Sequence, residues 1–379
     1  MKKMLVLALC LMMIAVGAAA ETHTVEELLA GMTQEEKVGQ LFIIRPDSLD
    51  ETLPVTTVYD SQAEGVSEIT EAMKDTWARY PAGGIILFRK NLRDAEQLTA
   101  MTDAIHSLGG ITPIVTIDEE GGMIARIANS GLFDVPKYPN MQAIAETGDT
   151  DQAYAAGIGI GTYLKTFGID ATFAPVADVN TNPDNPVIGK RAFGDDPETA
   201  AEMVAAYLNG LHSTGTAGCI KHFPGHGDTT TDTHSGYAET NKTWEEMLAC
   251  EMIPFRSGIE AGTDMVMVAH ISAPAVTGDQ TPATLSYTIV TEKLRQEMNY
   301  DGVVITDGME MGAITDNYDC ADAAVQAILA GVDIILLPQD YQAAFEGVLA
   351  AVQNGTITEE RLDESVMRIL KLKEGCGLL

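Results

Sequence analysis

The chain has 379 residues, 46% of them hydrophobic and only 6% aromatic, with 35 glycines. That is enough to bury a large core, and the Gly- and aliphatic-rich balance suits an α/β fold better than a β-sandwich. A formal net charge of −32 repels nucleic acid and anionic membrane surfaces, so neither is expected as a partner.

In chain order, Lys2 and Lys3 precede an apolar run over residues 4–16, and Ala18-Ala19-Ala20 stands just before the polar Glu21. Positive charge, apolar run and small-residue site together read as a secretory signal peptide over residues 1–20. Cleavage is expected after Ala20, with the mature chain secreted or associated with the cell envelope. Cys10 lies inside this run, but the large Leu9 before it makes a poor lipobox, so a soluble secreted form is expected rather than a lipoprotein. The remaining cysteines, Cys219, Cys250, Cys320 and Cys376, are far apart and form no C-x-x-C pair. That spacing fits neither a zinc site nor a dense disulfide framework. No later apolar stretch is long enough to span a membrane.

Thr33-Gln34-Glu35-Glu36 is a capping box that opens a helix leading into the first of eight short apolar runs. The runs cover residues 41–44, 84–88, 113–117, 172–176, 218–220, 265–269, 302–306 and 332–337. They are nearly continuous rather than alternating, which implies strands buried on both faces, as in a parallel sheet. Amphipathic stretches at 94–108, 197–212, 321–330, 342–353 and 359–373 predict intervening helices. The polar segment 46–81 reads as an elaborated loop with a short helix. Eight strand–helix units in one domain, residues 21–379, predict a (β/α)8 TIM-like barrel. The alternative is an open doubly wound sheet, weakened because no G-x-G-x-x-G follows the first run.

A barrel places its working groups at the C-terminal ends of its strands. Five consecutive runs end in polar or charged groups: Asp118-Glu119-Glu120, Asp178, Lys221-His222, His270 and Asp307. This convergence locates a candidate active site from the residues alone. Asp307, between a buried run and Gly308, reads equally as a nucleophile or base at the barrel mouth and as a helix N-cap. Asp118 carries the same ambiguity, and Gly121-Gly122 after it permits close backbone approach to a ligand. In the loop after Lys221-His222, Pro224, Gly225 and Gly227 argue against a helical zinc pair formed by His222 and His226. Asp232 and His234, two apart, can pair so that the carboxylate fixes the imidazole for proton transfer. A solvated polar loop is the bland reading. A metal set of His222, His226, Asp228 and His234 is the less favoured one.

These residues resemble glycoside hydrolase family 3, in its single-barrel branch of β-N-acetylglucosaminidases. The stretch from Lys221-His222-Phe223-Pro224-Gly225-His226-Gly227 to Asp232-Thr233-His234 is similar to that branch's K-H-F-P-G-H-G-x(4)-D-[ST]-H signature. Ile117 to Gly122, Gly189 to Gly194 and Ile305 to Met311 resemble three further elements, in the expected order. The resemblance implies that Asp307 is the nucleophile of a retaining glycosidase and His234 the acid/base, paired with Asp232. It implies that Asp118, Arg126, Arg191, Lys221 and His222 hold a terminal N-acetylhexosamine. A carbohydrate is the expected partner, from peptidoglycan or chitin-type saccharides, and no cofactor or metal is expected. The alternatives are a β-glucosidase or phosphorylase of the same family, or a non-catalytic sugar-binding barrel. Met123 departs from the pattern, in which Arg follows the Gly-Gly pair. The chain ends at Leu379, soon after the eighth unit, which favours the His/Asp form over one drawing its acid/base from a following domain.

Overall fold

The computed structural model describes residues 24–231 and 238–379. The expected signal segment lies outside this range, as do Asp232 and His234. Eight short strands form one parallel sheet: β1 (Phe42–Ile44), β2 (Gly84–Leu87), β3 (Ile114–Ile117), β4 (Ala171–Thr172), β5 (Ala217–Phe223), β6 (Met265–Val268), β7 (Val303–Thr306) and β8 (Ile335–Leu336). The sheet order is β7-β6-β5-β4-β3-β2-β1-β8. A parallel bridge between Ile305 and Ile334 joins β7 to the chain entering β8 and closes the cylinder. Every residue of the eight strands is buried. Closure leaves the sheet no edge, so the fold is the (β/α)8 barrel and not the open doubly wound sheet.

All eight predicted runs carry a strand, most trimmed by a residue; three change length more, and the last, 332–337, narrows to Ile335–Leu336. β4 stops at Thr172, because Pro175 has no N–H to continue the ladder. β5 continues through Lys221 and His222 to Phe223, so both side chains stand on a rigid strand rather than in the loop. The capping box forms as written: Thr33 N donates to Glu36 Oε2 at 2.8 Å, and Glu36 N to Thr33 Oγ1 at 3.2 Å. The segment 46–81 holds one α-helix more than expected, with helices Val55–Tyr59 and Glu71–Arg79, and a 3-10 turn at Pro46–Leu49.

The helix Thr150–Thr166 was not predicted, and its glycines explain why. Gly157, Gly159 and Gly161 break the apolar periodicity, but each admits a close neighbour: Gly157 the helix Pro197–His212, Gly159 the Tyr138 side chain and Gly161 that of Thr214. A Cβ at Gly157 would lie 2.2 Å from the Tyr207 carbonyl oxygen, and one at Gly210 would lie 2.3 Å from that of Tyr154. Backbone meets backbone here, which only glycine permits.

At the bottom of the barrel the same device occurs three times. Asp170 Oδ2 accepts the N–H of Val115 and faces His106 Nε2, both at 2.9 Å. Asp264 Oδ2 accepts the N–H of Gly218 at 2.8 Å and faces His212 Nε2 at 2.9 Å. Asp333 Oδ2 accepts the N–H of Val304 at 2.9 Å and pairs with Arg295. Each aspartate enters an even strand, bonds to the odd strand before it, and takes its side-chain partner from the helix leading into that odd strand. No helix among the described residues is long and apolar enough to cross a membrane, and the four described cysteines are free thiols.

Candidate active site

β3 delivers Asp118, after which the chain turns back through a small hairpin, Glu119–Gly121 against Ile124–Ala125. Gly121 and Gly122 have φ of +90° and +56°, which L side chains rarely adopt. Glu119 points into the core and pins the hairpin. Its carboxylate accepts the N–H groups of Ile127 and Ala128, each at 2.9 Å, and the Tyr163 hydroxyl at 2.7 Å. Asp118 and Glu120 thereby face the barrel mouth.

Two carboxylates and three cations meet there. Lys221 Nζ, carried by β5, lies 2.9 Å from Asp118 Oδ1 and 2.7 Å from Glu120 Oε1. Arg191 grips Glu120 through two nitrogens, Nε at 2.9 Å and Nη2 at 2.7 Å. Arg126 Nη2 reaches Asp118 Oδ2 at 3.5 Å. Burial alone raises the Glu120 carboxyl, but Arg191 and Lys221 outweigh it and hold it down to about 2. Asp118 is lowered in the same way, with burial overcome by Lys221 and Arg126. Burial pulls Lys221 down, but Asp118 and Glu120 more than restore it. The cluster is therefore an ionised, pre-set array of donors and acceptors.

His222, next on β5, is held from behind by Asp178. Asp178 Oδ2 lies 2.7 Å from His222 Nδ1, and Asp178 Oδ1 accepts the N–H of His226 at 2.6 Å. The other ring nitrogen, Nε2, faces Arg191 Nη2 at 3.4 Å. His226 turns its Nδ1 to Thr229 Oγ1 at 2.7 Å, and the two imidazoles stand edge to face, 6.0 Å between centroids.

Asp307 leaves β7 into the same cavity. Its N–H joins Val268 O at 2.9 Å, and its Oδ1 accepts the N–H of Gly308 at 2.8 Å. Burial raises this carboxyl, but charge on His222 and His270, the Gly308 N–H and Lys221 reverse the effect, and the net shift is downward. Asp307 is thus a buried, ionised carboxylate. It serves no helix as an N-cap, because the next helix, Gly312–Thr315, is capped by Met311.

The cavity has a volume of about 430 Å3 and is lined by Asp118, Glu120, Arg126, Arg191, Lys221, His222, His226 and Asp307, among others. The structure therefore brings together Asp118, Arg126, Arg191, Lys221, His222 and Asp307, whereas Asp232 and His234 lie outside the described residues. Sequence reasoning counted Glu120 and Asp178 among the strand-end groups without giving them a role and weighed His226 only as a metal ligand; it passed over Arg45 and Glu310, which line the cavity as well. The strand-end rule reaches Arg45, because it follows β1 directly. Glu310 lies four residues past a strand end and gave no such signal.

The glycosyl hydrolase family 3 N-terminal domain matches residues 33–372. The chain is 34% identical over 323 residues to a protein of Pseudoalteromonas piscicida named beta-hexosaminidase A, which covers 78% of this chain but only 54% of that one. It is 35% identical over 277 residues to a beta-hexosaminidase of Stenotrophomonas maltophilia, covering 72% of this chain and 80% of that protein. Among solved structures it is similar to a family 3 β-N-acetylglucosaminidase from Paenibacillus sp. FPU-7, with a TM-score of 0.83 and 37% identity. That similarity covers 92% of this chain and 63% of that one. With the barrel, the strand-end carboxylate and these similarities in hand, the chain belongs to glycosyl hydrolase family 3.

Proposed function

We propose that the protein is a retaining, exo-acting β-N-acetylglucosaminidase that removes terminal β-linked N-acetylhexosamine from peptidoglycan or chitin-type saccharides. The observation that carries this reading is Asp307, an ionised carboxylate at the end of β7 lining one cavity with the Asp118–Glu120–Lys221–Arg191 cluster. A carboxylate so placed can attack an anomeric carbon while the cluster grips the sugar's hydroxyls. A cavity of about 430 Å3 suits a terminal sugar, and the names of the relatives point to the same sugar class.

In the proposed scheme Asp307 displaces the leaving group and forms a covalent glycosyl-enzyme. His234, oriented by Asp232, gives its proton to the glycosidic oxygen. It then takes one from the water that releases the sugar. An imidazole suits this task because it titrates near neutral pH without a large shift. The order of features over residues 2–20 supports export, so the substrate would be met outside the cytoplasm.

The test is turnover of the 4-nitrophenyl N-acetyl-β-glucosaminide, with the anomeric form of the product followed by NMR. Release of the β-anomer first, together with an adduct on Asp307 from a fluorosugar, is the expected outcome. First release of the α-anomer would overturn the retaining mechanism, and product formation only with added phosphate would favour a phosphorylase.

A further inference from the structure

The cavity has a second polar wall. Arg45 follows β1 and Glu310 follows β7. In an eight-strand barrel these positions lie across the mouth from β5 and β3, which carry Lys221, His222 and Asp118. Arg45 is only 7% exposed. Its guanidinium lies 3.9 Å from the centroid of the Phe88 ring and 4.9 Å from that of Tyr59. Stacking on two rings fixes where the guanidinium points. Arg45 Nη2 reaches Glu310 Oε1 at 3.4 Å, the long end of a hydrogen bond.

The other ends of this pair are unpartnered. Among the described residues, four buried side-chain polar atoms make no hydrogen bond: Arg45 Nε, Arg126 Nε, Glu251 Oε2 and Glu310 Oε2. The residues of three of them line this one cavity. Such atoms are rare in folded proteins because each is costly, and their concentration here marks a place built to meet a ligand.

The chemistry narrows the ligand. Arg45 Nε can only donate, and an ionised carboxylate oxygen can only accept. A hydroxyl satisfies both with one atom, its oxygen accepting from Arg45 and its hydrogen going to Glu310. Burial raises the Glu310 carboxyl to about 7, against the pull of Arg45 and with the charge of Asp307 adding to the rise. Near neutrality Glu310 therefore exists in both forms, and a hydroxyl bonds to either, whereas a ligand carboxylate would be repelled by one of them.

We propose that Arg45 and Glu310 form a second hydroxyl-binding pair, which holds one further hydroxyl of the bound saccharide from the side of the mouth opposite Asp118 and Lys221. This rests on the glycosidase reading. The hydroxyl belongs either to the terminal sugar or to the leaving-group sugar.

The test compares Glu310→Ala and Arg45→Met with wild type on the 4-nitrophenyl N-acetyl-β-glucosaminide, which has no leaving-group sugar, and on N,N′-diacetylchitobiose. Thermal melting checks each variant's fold, and Arg45→Lys replaces Arg45→Met where the latter does not fold. A fall in kcat/KM of about 10-fold or more on both substrates supports the pair and places the hydroxyl on the terminal sugar. The same fall on chitobiose alone places it on the leaving group. Folded variants within about twofold of wild type on both substrates overturn the proposal. A wild-type chain that cleaves neither substrate overturns the glycosidase reading instead. The pair is then judged by melting with N-acetylglucosamine and with chitobiose. A ligand-induced rise in Tm in wild type that disappears in Glu310→Ala supports it, and any other pattern overturns it.

Discussion

The Asp178 carboxylate lies 2.7 Å from the Nδ1 of His222 and also accepts that residue's backbone N–H at 3.2 Å, so one buried group fixes both the ring and the strand beneath it. Nδ1 is made a donor, and Nε2 is left facing Arg191 and the cavity. Asp178→Asn can keep the bond from the His226 N–H at Oδ1 but presents an amide to the His222 ring and its backbone N–H. It is expected to lower kcat/KM about 10- to 100-fold through misplacement of the imidazole, with little change in Tm. Steady-state kinetics beside a melting curve checks this, and wild-type kinetics would show that the ring needs no such support.

Asp307→Ala removes the proposed nucleophile while leaving the strand-end backbone intact. Turnover is expected to fall on the order of 10³-fold or more, with the fold retained by circular dichroism. Residual activity within tenfold of wild type would move the nucleophile elsewhere.

Lys221→Met leaves Asp118 and Glu120 without the cation they share. Removing one member of a buried charge cluster costs about 3–5 kcal/mol. The folded pKa values of both carboxyls are lowered, Glu120 to about 2. The stability they contribute is thus present above the ordinary carboxylate range and lost as pH falls through the lowered values. Urea titrations are expected to show the full deficit near pH 7 and a smaller one near pH 4, where the variant's carboxyls take up protons. A deficit that grows on acidification would contradict this.

Glu310 works in the opposite direction. Its folded pKa is about 7 against an ordinary 4.5, so its stability contribution is full below 4.5 and lost as pH rises through 7. Glu310→Gln is expected to match wild type in stability near pH 4.5 and to exceed it at pH 8, by at most about 3 kcal/mol. The Tm difference at the two pH values decides it.

Gly157→Ala is expected to destabilise by about 1–3 kcal/mol through overpacking against Tyr207, despite a gain of about 1 kcal/mol in helix propensity. Gly31 ends the helix Val25–Gly31 with nothing within 4 Å of an added Cβ, and Gly31→Ala is expected to be neutral or slightly stabilising. Equal effects at the two sites would refute the close-packing account.

The strands were legible because burial on both faces of a parallel sheet forces continuous apolar runs, and 302–306 became Val303–Thr306 almost unchanged. Asp118, Lys221, His222 and Asp307 were legible because strand ends converge by topology. Arg126 and Arg191 came only through resemblance, since both sit in loops where a lone arginine gives no signal. Asp178 stood in the strand-end census without a role, because its work is to hold His222, a contact across two strands that no local pattern encodes. The helix Thr150–Thr166 was hidden by glycines that serve its neighbours rather than its own periodicity.

The three aspartates at the barrel's base divide the cylinder into pairs. Asp170, Asp264 and Asp333 tie β3 to β4, β5 to β6 and β7 to β8, while among the described residues no aspartate ties the seams between these pairs. Cuts ahead of the helix that leads into each odd strand, such as residues 194–195 before the helix Pro197–His212, keep every carboxylate on the same fragment as the amide and the side chain it binds. Split-protein reassembly and segment exchange in this barrel therefore have natural borders, set by three side chains far from the cavity.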